Sequence, residues 1–63
     1  MEILKRTEYY DLIQNANHLY VEDQRTHERR YLERTDLTKI DIMGHLEMDE
    51  YFFTLFYPAY QTL

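Results

Sequence analysis

The chain has 63 residues, no cysteine and a formal net charge of −5. Disulfides and thiolate metal sites are therefore excluded, and the length allows one small domain over residues 1–63. Such a domain is marginally stable alone, and a second copy of the chain is the commonest support. Seven Tyr and three Phe argue against disorder. The three His lack ligand-like spacing, so neither a metal nor a cofactor is expected.

The negative charge makes the chain a poor ligand for nucleic acid, since phosphate binding needs a basic surface. It suits a basic protein partner, and nucleic-acid enzymes are the commonest of these. The alternative is that the charge only keeps a small protein soluble. No segment is long enough to span a bilayer, and the N-terminus lacks the layout of a secretion signal. We expect a soluble, intracellular protein without membrane contact.

The first elements along the chain are an arm and a hairpin. In residues 1–16, a variable N-terminal arm, Thr7 either caps a short helix or lies in an extended segment. Residues 18–34 are predicted to form a β-hairpin, because strand-forming residues flank the polar loop DQRT. Tyr20 and Tyr31 would then be cross-strand neighbours.

Residues 36–48 are predicted to form an amphipathic helix. Apolar residues recur every three positions there, at Leu37, Ile40, Met43 and Leu46. Asp36 and Asp41 lie early in the segment, where hydrogen bonding and the helix dipole favour carboxylates. Gly44 costs about 1 kcal/mol in a helix interior relative to Ala, so it either has a specific role or marks the helix end.

Residues 50–57 are predicted to form a third strand, which Pro58 ends. Both faces of this strand are apolar, and the helix covers only one. A second copy would cover the other face, through a predicted dimer interface of Tyr51, Phe52, Phe53 and Phe56. The alternative is a cover within the same chain by Ile3, Leu4, Tyr9 and Tyr10. The predicted fold is therefore α+β, a three-stranded antiparallel sheet in ββαβ order with one packed helix, as a homodimer.

The helical period also predicts a small surface notch. At 100° per residue, Ile40, Ile42, Met43 and Leu46 fall on the core face. Leu37, Gly44 and Met48 fall on another side, with Asp41 and Glu47 at its edges. This apolar notch, edged by carboxylates, is either a binding site or the fraying of a helix end. No nucleophile, acid–base pair or Gly-rich loop is recognisable, so no enzyme is expected.

Four stretches of the chain carry a resemblance to a known family. They are YYDLI in an aromatic–x–Asp arm, YVEDQRTHERRYLER in an acidic hairpin loop and Tyr-rich second strand, DLTKIDIMG in the helix, and DEYFFTLF in the last strand. Over roughly residues 9–55 the chain resembles the small uracil-DNA glycosylase inhibitors of phi29-like Bacillus phages. The resemblance implies a homodimer that mimics DNA towards the host uracil-DNA glycosylase, in the cytoplasm of an infected bacterium.

The resemblance also implies a mode of binding. A groove between two helices would trap the apolar residue that the enzyme pushes into the base stack, and acidic side chains would stand in for phosphates. The family's helix aromatic, Glu and Tyr fall on Ile40, Asp41 and Gly44, so the Tyr is absent here. The predicted partner-binding residues are Leu37, Ile40, Asp41, Gly44, Glu47, Met48 and Tyr31. Alternatives are a phage inhibitor of a CRISPR effector, restriction enzyme or polymerase, or a structural dimerisation module.

Overall fold

A computed structural model describes residues 1–59 of the chain. Its elements, in order, are β1 (Glu2–Arg6), β2 (Tyr10–Asn15), β3 (His18–Asp23), β4 (Arg29–Leu32), α1 (Thr35–Asp41) and α2 (His45–Phe56). The strands form an antiparallel sheet in the order β1-β2-β3-β4. The predicted α+β class and antiparallel sheet are confirmed. The predicted ββαβ order, with three strands and one helix, is wrong.

The predicted hairpin is confirmed as the pair β3 and β4, with Tyr20 opposite Tyr31. The ring centroids of these two residues lie 5.5 Å apart. At the end of β3 the buried Asp23 carboxylate accepts hydrogen bonds from the backbone N–H groups of Arg25 (2.8 Å) and Thr26 (3.4 Å). A buried carboxylate that accepts loop N–H groups satisfies donors that have no strand partner.

The N-terminal arm is extended rather than helical, but it is part of the sheet instead of a variable appendage. Residues 1–16 supply both β1 and β2. Thr7 lies in the connection between them, and its Oγ1 accepts a hydrogen bond from the Tyr10 N–H at 3.1 Å. Thr7 therefore stabilises a turn between two strands and is not the N-cap of a helix.

The predicted helix over residues 36–48 is two helices. Ile42 closes α1, and the extended Gly44, with φ −73° and ψ 172°, opens α2. The Gly44 carbonyl accepts the Met48 N–H at 3.0 Å, the first hydrogen bond of α2. Gly44 thus marks a helix boundary, the second of the two roles that the sequence left open.

The predicted strand over residues 50–57 is wrong, because this segment is the main body of α2. Its buried residues Met48, Phe52 and Phe56 are four positions apart, which is one face of an α-helix. Tyr51 and Leu55 are partly buried beside them. In each turn of α2 two adjacent residues face the core. Read as a strand, such a segment therefore has apolar residues on both faces.

The core lies between α2 and one face of the sheet. Tyr10 stacks on Phe56 with ring centroids 5.4 Å apart and meets Phe52 edge-on at 6.1 Å. The remaining buried members of this cluster are Leu12, Leu19, Val21, Ile40 and Met48. The aromatic segment is therefore covered within its own chain, and Phe52 and Phe56 are not available for the predicted dimer interface.

Candidate partner-binding surface

The junction of the two helices, residues 41–50, exposes two large apolar side chains and is named here the α1–α2 corner. Ile42 is 85% exposed and Leu46 is 80% exposed. Ile42 ends α1, and Leu46 lies in the first turn of α2. Gly44 interrupts the helical period, and neither side chain is buried against the sheet.

The predicted notch is not formed. Ile40 and Met48 are buried in the core, and the half-buried Leu37 packs against it. These three residues offer little surface to a partner because they hold α1 and α2 on the sheet. Their placement follows from the break at residues 42–44, across which a single helical wheel does not apply.

Three other predicted residues lie together on the surface of the corner: Asp41, Gly44 and Glu47. A Cβ added at Gly44 would meet no atom within 4 Å. Tyr31, which is 62% exposed, lies on β4, and its ring contacts Tyr20 on the side of the sheet away from the core cluster. The structure therefore brings three of the seven predicted partner-binding residues together on an open surface.

Ile42 and Leu46 are the residues that the sequence reasoning missed, since it placed both on the core face. The signal in the sequence that identifies them is Gly44, a poor helix former. If the helical period restarts at His45, the pattern Met48, Tyr51, Phe52, Leu55 and Phe56 becomes the core face. Leu46 then falls outside that face.

The corner is acidic. Residues 41–50 carry Asp41, Glu47, Asp49 and Glu50 and no Lys or Arg. Asp41 lies 4.0 Å from Lys5, and Asp36 lies 3.9 Å from Lys39. Such exposed ion pairs hold their side chains weakly, so the carboxylates remain able to attract a basic surface.

A cleft of about 470 Å³ lies beside the corner. Its lining residues are Tyr9, Tyr10, Arg25, Asp49, Glu50, Phe53 and Thr54. The Arg25 guanidinium lies over the Tyr9 ring at 4.9 Å and reaches an Asp23 carboxylate oxygen at 3.3 Å. The positive charge of Arg25 is therefore neutralised locally, and the two carboxylates of α2 set the sign of the cleft.

The buried Tyr10 hydroxyl has no hydrogen-bond partner among residues 1–59. Burial raises its pKa, the Asp23 carboxylate raises it further, and Arg25 acts in the opposite direction. Since a buried hydroxyl without a partner carries a desolvation cost of about 1–3 kcal/mol, its ring packing against Phe52 and Phe56 must outweigh that cost.

The other face of the sheet carries a continuous row of apolar and aromatic residues across all four strands. Register places Ile3 beside Ile13, Ile13 beside Tyr20, and Tyr20 beside Tyr31. The middle pair is buried, at 4% and 2% exposed, while Ile3 and Tyr31 at the two ends are 40% and 62% exposed. Neither buried residue belongs to the core cluster under the helices, and the Arg29 guanidinium lies over the Tyr20 ring at 4.6 Å. Only Ile3 and Tyr31 therefore offer apolar surface on this face.

A charged row runs parallel to the apolar one: Arg6, Asp11, Glu22 and Arg29. Arg6 Nε donates to Asp11 at 2.7 Å, and Arg29 Nε donates to Glu22 at 3.0 Å. The hydrogen bond from Arg6 is the main cause that lowers the pKa of Asp11. These charges are paired within the chain, so Ile3 and Tyr31 are the apolar side chains that this face offers to a partner.

No cluster of three or more metal-ligating side chains occurs in residues 1–59. Within the same residues, neither helix is long and apolar enough to cross a membrane. Comparisons with protein-family models, curated proteins and solved structures gave no match.

Proposed function

We propose that this protein is a binding inhibitor of a nucleic-acid enzyme, and that its target is the uracil-DNA glycosylase of a bacterial host infected by a phage. The acidic, exposed surface of the α1–α2 corner carries this proposal. It offers Asp41, Glu47 and Glu50 to solvent, where they would stand in for DNA phosphates against a basic enzyme surface. The resemblance over residues 9–55 supplies the choice of glycosylase as the target.

The contact residues proposed here differ from those that the resemblance implies. Ile40 and Met48 are buried, so a groove built from them within one chain is not open to an apolar residue of the enzyme. Asp41, Gly44 and Glu47 remain exposed and are proposed to face the enzyme. Asp41 keeps the negative charge at the family's Glu position.

We also propose that the protein acts as a homodimer, joined through the exposed ends of the apolar row, Ile3 and Tyr31. This face lies opposite the core cluster, so dimerisation would leave both α1–α2 corners free. Replacing Tyr31 by Glu would place a charge in this interface. Sedimentation equilibrium is expected to give a dimer for the unmodified protein and a monomer for Tyr31→Glu; a monomer for both contradicts the proposed dimer.

The enzymatic test uses a bacterial uracil-DNA glycosylase and a uracil-containing duplex. Uracil release is expected to stop at micromolar inhibitor and to recover as salt is raised, because rim charges attract the enzyme. A triple variant, Asp41→Lys, Glu47→Lys and Glu50→Lys, should lose inhibition. Glu28→Lys, an exposed charge reversal in the β3–β4 loop, is the matched control and should inhibit normally. Unchanged uracil release with the unmodified protein contradicts the proposal.

A second candidate function is a structural dimerisation module, and the exposure of Ile3 and Tyr31 at the two ends of the apolar row is the observation that favours it. This alternative predicts that the triple charge reversal changes nothing, whereas Tyr31→Glu abolishes function. Sedimentation and the glycosylase assay together separate the two candidates: a dimer that leaves uracil release unchanged supports the module.

A further inference from the structure

Ile42 and Leu46 are exposed without a structural need. A short chain gains stability by burying large apolar side chains, yet these two are 85% and 80% exposed, while every buried position of α2 is filled by another residue. They are four residues apart, so their Cα atoms lie within about 14 Å of each other. Both therefore lie on the α1–α2 corner, and the two side chains are together named here the apolar tip.

Carboxylates flank this tip along the chain. Asp41 precedes Ile42, Glu47 follows Leu46, and Glu50 lies one helical turn beyond Leu46 on the same face of α2. The surface therefore has the organisation of a binding site with an apolar centre and a charged rim. The charge of the rim defines the chemistry of the occupant: an apolar pocket edged by Lys or Arg.

We propose that Ile42 and Leu46 are an apolar anchor that inserts into a hydrophobic pocket on the basic surface of the target enzyme. This inference rests on the proposed function. It reverses the direction of insertion that the resemblance implies, because here the inhibitor supplies the protruding side chains and the enzyme supplies the pocket. Asp41, Glu47 and Glu50 at the rim steer the encounter and fix its orientation.

The anchor and the rim have different kinetic effects. Removing a buried apolar contact mainly speeds dissociation, whereas removing a rim charge mainly slows association and weakens the salt dependence. We expect Leu46→Gln and Ile42→Gln each to raise the dissociation rate about 10- to 100-fold, the range that loss of one buried Leu or Ile corresponds to. Glu47→Gln should lower the association rate with little change in dissociation.

The test measures association and dissociation rates of the full chain and its variants on immobilised glycosylase by surface plasmon resonance. Leu46→Met keeps an apolar side chain of similar size and is the matched control, expected to bind like the unmodified protein. Since both positions are exposed, the Gln variants keep the fold, which circular dichroism checks. Unchanged dissociation rates for Leu46→Gln and Ile42→Gln overturn the anchor while leaving the proposed function standing.

Two further outcomes also decide the question. If the unmodified protein does not bind the enzyme, the proposed function fails and the anchor fails with it. If Leu46→Gln binds the enzyme normally but no longer self-associates in sedimentation, the apolar tip is a contact between copies of this chain, and the anchor is again overturned.

Discussion

Thr7 and Asp49 are joined by a hydrogen bond although they are 42 positions apart: the Thr7 hydroxyl donates to Asp49 Oδ1 at 2.7 Å. The same Thr7 oxygen accepts the Tyr10 N–H at 3.1 Å. This one side chain therefore connects the β1–β2 turn to α2. Asp49 lies in the helix that carries Leu46 and Glu50, so the contact helps to orient the proposed binding surface on the sheet.

Replacing Thr7 by Val is expected to destabilise the protein. The change keeps the shape of the side chain but leaves the Asp49 carboxylate and the Tyr10 N–H without their partner, which costs about 1–3 kcal/mol. Urea unfolding followed by circular dichroism measures the loss. Thr38→Val, at an exposed position of α1, is the matched control; an equal effect of both changes would remove the special role of Thr7.

Phe52 and Phe53 distinguish the helix from the predicted strand. Phe52 is fully buried and Phe53 is 39% exposed, so Phe52→Ala should cost about 3–5 kcal/mol and Phe53→Ala about 1 kcal/mol. A loss of 3–5 kcal/mol is comparable with the whole stability of a chain this short, so the Phe52 variant should be largely unfolded. Thermal unfolding compares the two variants. A Phe53 variant that is less stable than the Phe52 variant would be inconsistent with α2.

Ala16 is strained in the turn between β2 and β3, where its φ is 54°. A positive φ costs a residue with a Cβ about 1 kcal/mol, a cost that glycine avoids. Ala16→Gly is therefore expected to raise the free energy of unfolding by about 1 kcal/mol, and the β-branched Ala16→Val to lower it. The denaturant midpoint of the Gly variant should lie above that of the unmodified protein, and the midpoint of the Val variant below it. A destabilised Gly variant would contradict the strain at Ala16.

Asp23 gives the stability a pH dependence of known sign. Burial acts to raise its pKa, but hydrogen bonds from the Arg25 side chain and from the backbone N–H groups of Arg25 and Thr26 outweigh burial, so the pKa lies below its ordinary value of 3.8. A carboxyl with a lowered folded pKa stabilises the fold above its unfolded pKa, and this contribution disappears as the pH falls through the folded pKa.

We therefore expect the unmodified protein to lose stability progressively as the pH is lowered below about 4. Asp23→Asn should be less stable at pH 7 and should show a shallower decline in acid. Urea midpoints measured from pH 7 down to pH 2 test this, with the exposed Glu28→Gln as the control. Parallel pH profiles for the Asn variant and the unmodified protein would exclude the role of Asp23.

The hairpin was predictable from the sequence because its signals are local. Two strand-forming stretches flank a polar loop, and Tyr20 does lie opposite Tyr31. The acidic character of residues 36–50 follows from composition alone. Both features depend on neighbours in sequence, so they do not need knowledge of the tertiary structure.

The aromatic segment was not predictable in the same way. By propensity the segment favours a strand, because it contains Phe52, Phe53 and Phe56. It is a helix because this conformation packs Phe52 and Phe56 against Tyr10 of the sheet. The single residue that changes the interpretation is Gly44: it divides the helical period, and without that division Ile42 and Leu46 are assigned to the core. The exposed apolar tip is therefore a property of the tertiary fold.

The proposed binding of the α1–α2 corner to a nucleic-acid enzyme is tested most directly by NMR. Unlabelled uracil-DNA glycosylase would be added to isotope-labelled inhibitor, and the backbone amide signals would be followed. We expect shifted or broadened signals for residues 41–50 at stoichiometric enzyme. Unchanged signals throughout residues 41–50 would contradict it.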